Sequence, residues 1–159
     1  RETTQASIDL NVRAVAILSL EFSKINRERP ARLMNVASGA GYALFEQSIL
    51  YSATKYFVTA LTEGIAQELK SQKLPMKSQL LAPGPMVTDF FANAMDDSNR
   101  KSDIDLSKFK FHTAEQVAEF AMQLYESESD VGIVQPDMTF ALRDGKHRIG
   151  EILSGNYDW

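Results

Sequence analysis

"NVASGAGYALFEQSILYSATK", residues 35 to 55, places a serine at position 38, glycines at 39 and 41, and a tyrosine at 51 four residues ahead of a lysine at 55. Residues i and i+4 of a helix share a face, with Cβ atoms roughly 5–6 Å apart, so the Lys55 ammonium can lie beside the Tyr51 phenol. A phenol titrates near about pH 10, and an adjacent cation favours its phenolate, bringing it toward proton exchange at neutral pH. The pair alone is weak evidence. Five tyrosines and nine lysines in 159 residues give about 0.3 such pairs by chance. Taken singly, Tyr51 reads equally well as a helix residue with its hydroxyl in water.

Working outward, the helix that carries this pair is predicted from Ser48 to Gln72, rich in alanine, leucine and glutamate, with Pro75 stopping it. Before it, "RLMNVAS" (Arg32 to Ser38) reads as a short buried strand running into the glycine-containing turn. After it, "MKSQLLA" (Met76 to Ala82) is a second strand broken by "PGP". Upstream, Thr4 to Asn26 carries apolar residues at Ile8, Val12, Val15, Leu18, Phe22 and Ile25, the spacing of an amphipathic helix. Downstream, Met86 to Phe111 mixes Phe90, Phe91, Phe109 and Phe111 with the polar run "DDSNRKSD", whose middle is expected to be mobile. A third helix is predicted to begin at Thr113, where Thr-x-x-Gln (Thr113, Gln116) forms a capping box. "MTFALRDG" (Met138 to Gly145) reads as the last strand, with a short tail helix near Arg148 to Leu153. Helix alternating with strand is the pattern of a parallel sheet with crossover helices, here about three strands in a single domain over residues 1–159.

Composition narrows the function classes. The chain is 44% hydrophobic with a formal charge of −4, apolar enough for its own core and without the basic runs that phosphate backbones attract. Nucleic acid is not an expected partner. No stretch approaches 18 consecutive apolar residues, so no membrane partner is expected, and a cytoplasmic setting is the default. The absence of cysteine excludes disulfides, thiolate metal sites and a cysteine nucleophile. His112 and His147 lie far apart without matched ligands, so they read as surface residues and no metal site is expected.

Around "YSATK" the other parts of a proton-transfer site are present. Ser38 stands thirteen residues before Tyr51 at the carboxyl end of a strand, where ligands bind in open α/β sheets. In the short-chain dehydrogenase/reductase family, which this segment resembles, an asparagine stands in the preceding helix, and Asn11, in "DLNVRAV", matches it 27 residues before Ser38. With 14 serines and six asparagines in the chain, the joint coincidence falls to about 0.001. The segment resembles the active-site segment of the short-chain dehydrogenase/reductase family, and "APGPMVTDF" is similar to that family's Pro-Gly segment. Ala37 departs from it, since many members carry a serine there. The resemblance covers essentially the whole chain.

The resemblance implies a Rossmann-like doubly wound parallel sheet and an NAD(P)-dependent oxidoreductase that interconverts a carbonyl and an alcohol by hydride transfer. Its implied catalytic residues are Asn11, Ser38, Tyr51 and Lys55. Tyr51 is then the general acid/base, Lys55 supports the phenolate and the nicotinamide ribose, Ser38 stabilises charge on oxygen, and Asn11 holds a water. Cofactor contacts are implied for Tyr51, Lys55, Pro83, Gly84, Val87 and Thr88, with Thr88 at the nicotinamide carboxamide. Each has a plain alternative: Ser38 a turn cap, Asn11 a polar spot on a helix, Pro83-Gly84 a strand terminator.

The family's glycine-rich pyrophosphate turn is not matched by "GAG" at 39 to 41, which belongs to the serine segment. The chain therefore resembles the C-terminal portion of the fold, and the residue that separates NAD from NADP would lie upstream. Hydride transfer by these 159 residues alone is not expected, and the first strand, Leu33 to Ala37, is expected to have an open edge. Substrate choice falls to the variable segment Pro85 to Phe111. The resemblance also implies a homodimer or homotetramer through helices 9–26 and 48–72, with a stripe at Phe57, Leu61, Ile65 and Leu69 available for the contact. The alternative reading is a truncated, inactive fragment that serves only as a folded self-association module.

Overall fold

A computed structural model describes residues 2–44, 48–86 and 110–145. Val87, Thr88, His147, the centre of the mixed stretch and the expected tail helix lie outside the described residues. In chain order the elements are α1 (Glu2–Ile8), a π-helical segment (Asp9–Ala14), α2 (Val15–Asn26), β1 (Arg32–Val36), a 3₁₀ turn (Gly39–Gly41), α3 (Ile49–Ser71), β2 (Lys77–Ala82), α4 (Ala114–Glu126), β3 (Val131–Val134) and β4 (Phe140–Arg143).

Four described strands form one sheet in the order β1-β2-β3-β4. β1, β2 and β3 run parallel, and Met34 is level with Gln79 and Leu80 with Val131. β4 returns antiparallel to β3. Three strands are parallel, as expected, but the third is not "FALR". The place beside β2 belongs to Val131–Val134, a four-residue apolar run too short to distinguish from a connection by pattern alone. "FALR" is instead the outer arm of a hairpin. Its five-residue turn is closed by Gln135 N–H to the Thr139 carbonyl (2.8 Å), with Met138 in the left-handed region at φ 71°. Gly132 is required here, because a Cβ would lie 2.6 Å from the Phe140 ring.

Alternation along β2 determines the layers. Successive side chains point to opposite faces. Ser78 donates to the Thr62 carbonyl of α3 (3.0 Å), whereas Gln79 donates to the Leu124 carbonyl at the end of α4 (2.7 Å). Helices α2 and α3 therefore cover one face and α4 the other. Leu80, fully buried, packs with Ala37, Val58 and Val131, while Ile65, Leu69 and Met76 form a second cluster that Phe22 and Leu33 join. Phe57 and Leu61 pack against these same clusters, so the stripe Phe57, Leu61, Ile65 and Leu69 is core rather than an outer contact face.

A polar seam ties the layers together: Asn35 on β1 donates from Nδ2 to the hydroxyls of Ser19 on α2 and Thr62 on α3, both at 3.0 Å. Ser19 and Thr62 are each 1% exposed, where an unmade hydrogen bond would cost about 1–3 kcal/mol.

Element ends follow the sequence closely. Ser48 and Gln72 flank α3 as its caps, and the Thr113–Gln116 capping box forms in full. The first helix does not run uninterrupted from Thr4 to Asn26, since the π-helical segment divides it. His112 is buried rather than on the surface. It bridges to Met86 in parallel and meets the Phe120 ring edge-on at 5.1 Å. Phe120 in turn stacks on Phe140 at 4.4 Å. The apolar ring supplies the cover that composition could not foretell.

Leu80→Ala opens a cavity at the junction of α3 and three strands. Removal of a buried leucine side chain costs about 3 kcal/mol, an expected loss that chemical denaturation measures directly.

Candidate active site

The site begins where β1 and β2 end. Parallel pairing carries on past β1, with the Ala37 N–H donating to the Leu81 carbonyl (2.8 Å) and the Gly39 N–H to the Pro83 carbonyl (3.0 Å). Ser38 and the Pro83-Gly84 turn thus lie side by side at the carboxyl ends of adjacent strands. Ser38 is extended and caps the 3₁₀ turn, its hydroxyl accepting from the Ala40 N–H at 3.2 Å. Pro83 is buried, and a Cβ on Gly84 would lie 2.9 Å from Val134 Cγ1, so this turn is pressed onto β3.

Tyr51 and Lys55 occupy the first two turns of α3, both half-buried. The Lys55 Nζ stands 5.6 Å from the Tyr51 ring centroid and donates to the Val36 carbonyl at 3.3 Å. That carbonyl faces away from β2, because in β1 the odd-numbered neighbours Ala31 and Ala37 make the bonds to β2. Among the described residues β1 pairs only with β2, and Val36 is 52% exposed. Burial pushes the Lys55 ammonium below the ordinary lysine range.

Asn11 lies in the π-helical segment, half-buried, and this segment packs against α3. A π-turn breaks the regular i→i+4 ladder and recurs at functional sites. Apolar spacing does not report such a widening, so the sequence offered no signal for it. Tyr51, Lys55, Ser38, Pro83 and Gly84 thus gather near the carboxyl ends of β1 and β2, Asn11 lies in a segment packed on α3, and Val87 and Thr88 follow in the chain outside the described residues.

A further cluster adjoins the turn and has no sequence signature. Tyr42 Oη donates to Glu63 on α3, and Arg143 on β4 approaches the same carboxylate at 3.6 Å and the Tyr42 ring at 5.0 Å. Burial, then the hydrogen bond and charge of Glu63, push the Tyr42 phenol well above its ordinary range. Tyr42 is consequently a neutral donor at all physiological pH. No group of three or more histidine, aspartate or glutamate side chains able to hold a metal occurs among the described residues, nor does any described helix have the length and apolarity to cross a membrane.

Comparison with known proteins bears on the family and the fold. The family model described as short chain dehydrogenase matches residues 1–99. The chicken (Gallus gallus) protein "Dehydrogenase/reductase SDR family member 11" is 31% identical over 137 residues, covering 83% of this chain and 54% of its own length. The chain thus spans about half of that relative. A short-chain dehydrogenase from Sphingobium yanoikuyae in complex with NADPH superposes with a TM-score of 0.65 at 20% identity, covering 93% of this chain and 52% of that one. 4-Hydroxyisoleucine dehydrogenase complexed with NADH superposes at 0.58 and 21% identity, covering 80% and 53%. The two structures share the fold.

Lys55 provides a direct check. A cation whose folded pKa is lowered binds fewer protons in the native than in the unfolded state, so its contribution to stability grows as pH rises through the window between the two values. After reductive ¹³C-methylation, the Lys55 resonance should titrate below that of an exposed lysine, and Lys55→Met should flatten that alkaline rise. Titration at or above the exposed value would contradict the burial assigned to this amine.

Proposed function

The chain belongs to the short-chain dehydrogenase family, and from that premise we propose that the protein carrying it is an NAD(P)-dependent oxidoreductase interconverting a small-molecule carbonyl and its alcohol. The observation that carries the reading is the half-buried Lys55 ammonium beside the Tyr51 ring, at the carboxyl end of β1 next to Ser38.

Each role follows from ordinary acid–base chemistry. Tyr51 gives a proton to the carbonyl oxygen in reduction and takes it from the alcohol in oxidation. Lys55 favours the phenolate through its charge, the more so because it is drawn out of water. The Ser38 hydroxyl donates to the oxygen on which charge develops. Asn11 holds a water on the solvent side of Lys55, where the π-helical segment meets α3.

The residues fit a nicotinamide cofactor. Lys55 spends one of its three N–H donors on Val36 and keeps others for a ribose hydroxyl. Lys55, Tyr51, Pro83, Gly84, Val87 and Thr88 would hold the nicotinamide end, and the bound cofactor would supply the hydride. The neighbours titled with NADPH and with NADH leave both dinucleotides within the proposal.

A second reading, self-association, is favoured by an exposed apolar row. Leu10 and Ile17, and Leu18 and Ile25, recur at seven-residue spacing along the first helical stretch and are 69%, 53%, 70% and 65% exposed. Ile49 and Leu50 continue the exposure onto α3. A dimer or tetramer through these helices would cover them, and about 800 Å² per partner is ordinary for a specific interface.

Tyr51→Phe in the protein carrying this chain keeps the ring and removes the exchangeable proton, so turnover of ketones or aldehydes should fall roughly 10²–10⁴-fold with the fold intact. Near-normal reduction by that variant sinks the assignment. For the second reading, light scattering should give at least twice the monomer mass, and Leu18→Glu should return it to one; a monomeric wild type ends the self-association proposal.

A further inference from the structure

Ser38 can serve Tyr51 only if the turn that follows it is held at a set height over α3. That turn is anchored in an unusual way. Gly41 lies so close to α3 that a Cβ would fall 2.9 Å from the Lys55 carbonyl and 2.4 Å from Thr59 Oγ1. Yet Thr59 Oγ1 is buried without a hydrogen-bond partner, so close approach at this point is contact without attraction. Beyond Gly39, whose N–H is tied to the Pro83 carbonyl (3.0 Å), the 3₁₀ turn is bonded to itself, Gly41 N–H to the Ser38 carbonyl (2.9 Å) and Tyr42 N–H to the Gly39 carbonyl (3.0 Å). The polar tie to α3 comes one residue later, at Tyr42.

Tyr51, Lys55, Thr59 and Glu63 follow one another at intervals of four, a row that drifts about 40° per step around the helix. Glu63 is the far end of the row that begins with the site residues. Tyr42 Oη donates to it, and Arg143 closes the group from β4 by pairing with the carboxylate and covering the Tyr42 ring. Glu63 and Arg143 are largely withdrawn from water, with side chains 12% and 27% exposed. Three distant parts of the chain thus meet in one charged contact that fastens the serine turn to the tyrosine helix.

We infer that Tyr42, Glu63 and Arg143 are positioning residues, a clamp by which the outer strand β4 sets Ser38 against Tyr51 and Lys55. This rests on the oxidoreductase reading for its catalytic consequence and on geometry alone for its structural one. None of the three touches the reacting atoms. Arg143 acts through Glu63, and Glu63 through Tyr42 and the self-bonded turn.

The structural half is tested in the 159-residue chain by hydrogen exchange of assigned amides in Tyr42→Phe and Arg143→Met. Gly41 and Tyr42 should exchange at least tenfold faster than in the wild type, with Leu80 and Leu81 of β2 unchanged. Wild-type exchange at the turn in both variants overturns the clamp, whatever chemistry the site performs. The catalytic half is tested in the protein carrying this chain: Arg143→Met should lower kcat at least tenfold with KM unchanged, and Arg143→Lys, which keeps the charge beside Glu63, should recover most of it. An unchanged kcat, or a loss that Arg143→Lys does not relieve, overturns the positioning role. The oxidoreductase reading stands or falls separately, on Tyr51→Phe.

Discussion

Helix α3 is held to strand β2 by one contact that is apolar and polar at once, and the rest of the structure is arranged around it. Leu80 packs on Val58, and two residues earlier the Ser78 hydroxyl donates to the Thr62 carbonyl. The Thr62 hydroxyl meanwhile donates to the Val58 carbonyl at 2.7 Å and accepts from Asn35. Burial supplies most of the favourable free energy of such a contact, and the hydrogen bonds remove the penalty of hiding polar groups. Because both kinds of partner must coincide, α3 has little freedom to slide or turn on the sheet. Lys55 and Tyr51, about two and three turns from Thr62 on the same helix, inherit that rigidity.

The constraint extends to both edges of the sheet. On the β4 side, α3 is tied by charge: Lys70 Nζ donates to Asp130 Oδ2 at 2.7 Å, and the same carboxylate oxygen accepts from the Gly145 N–H at 3.0 Å. The Asp130 side chain is 8% exposed and that of Lys70 45%, so the carboxylate is withdrawn from water while the amine still reaches it. On the β1 side the constraint is looser. Lys55 reaches across to the Val36 carbonyl, a backbone acceptor that β2 does not use.

Much of this was legible from local chemistry. Turn signals and apolar spacing located α3, β1, β2 and α4 to within a residue or two, since caps and strand breakers such as Thr113 and Pro83 act on their immediate neighbours. The Tyr51–Lys55 pair was legible for the same reason, four residues being one turn. The stripe from Phe57 to Leu69 was also visible, but not its direction. Periodicity says that a face is apolar and leaves open whether it meets the core or another chain.

By itself, then, the sequence determined most of the helices and strands, the family and the Tyr51–Lys55 pairing on one helix face, because each of these is written in short-range spacing. Tertiary structure alone decided that "VGIV" takes the place beside β2 and sends "FALR" back antiparallel, since strand order depends on which edge is free when the chain arrives. It decided the burial of His112, which needs the rings of Phe120 and Phe140 to assemble first. It decided too the meeting of Tyr42, Glu63 and Arg143, residues 21 and 80 positions apart, whose attraction exists only after the sheet has brought β4 alongside the helix that holds Tyr51.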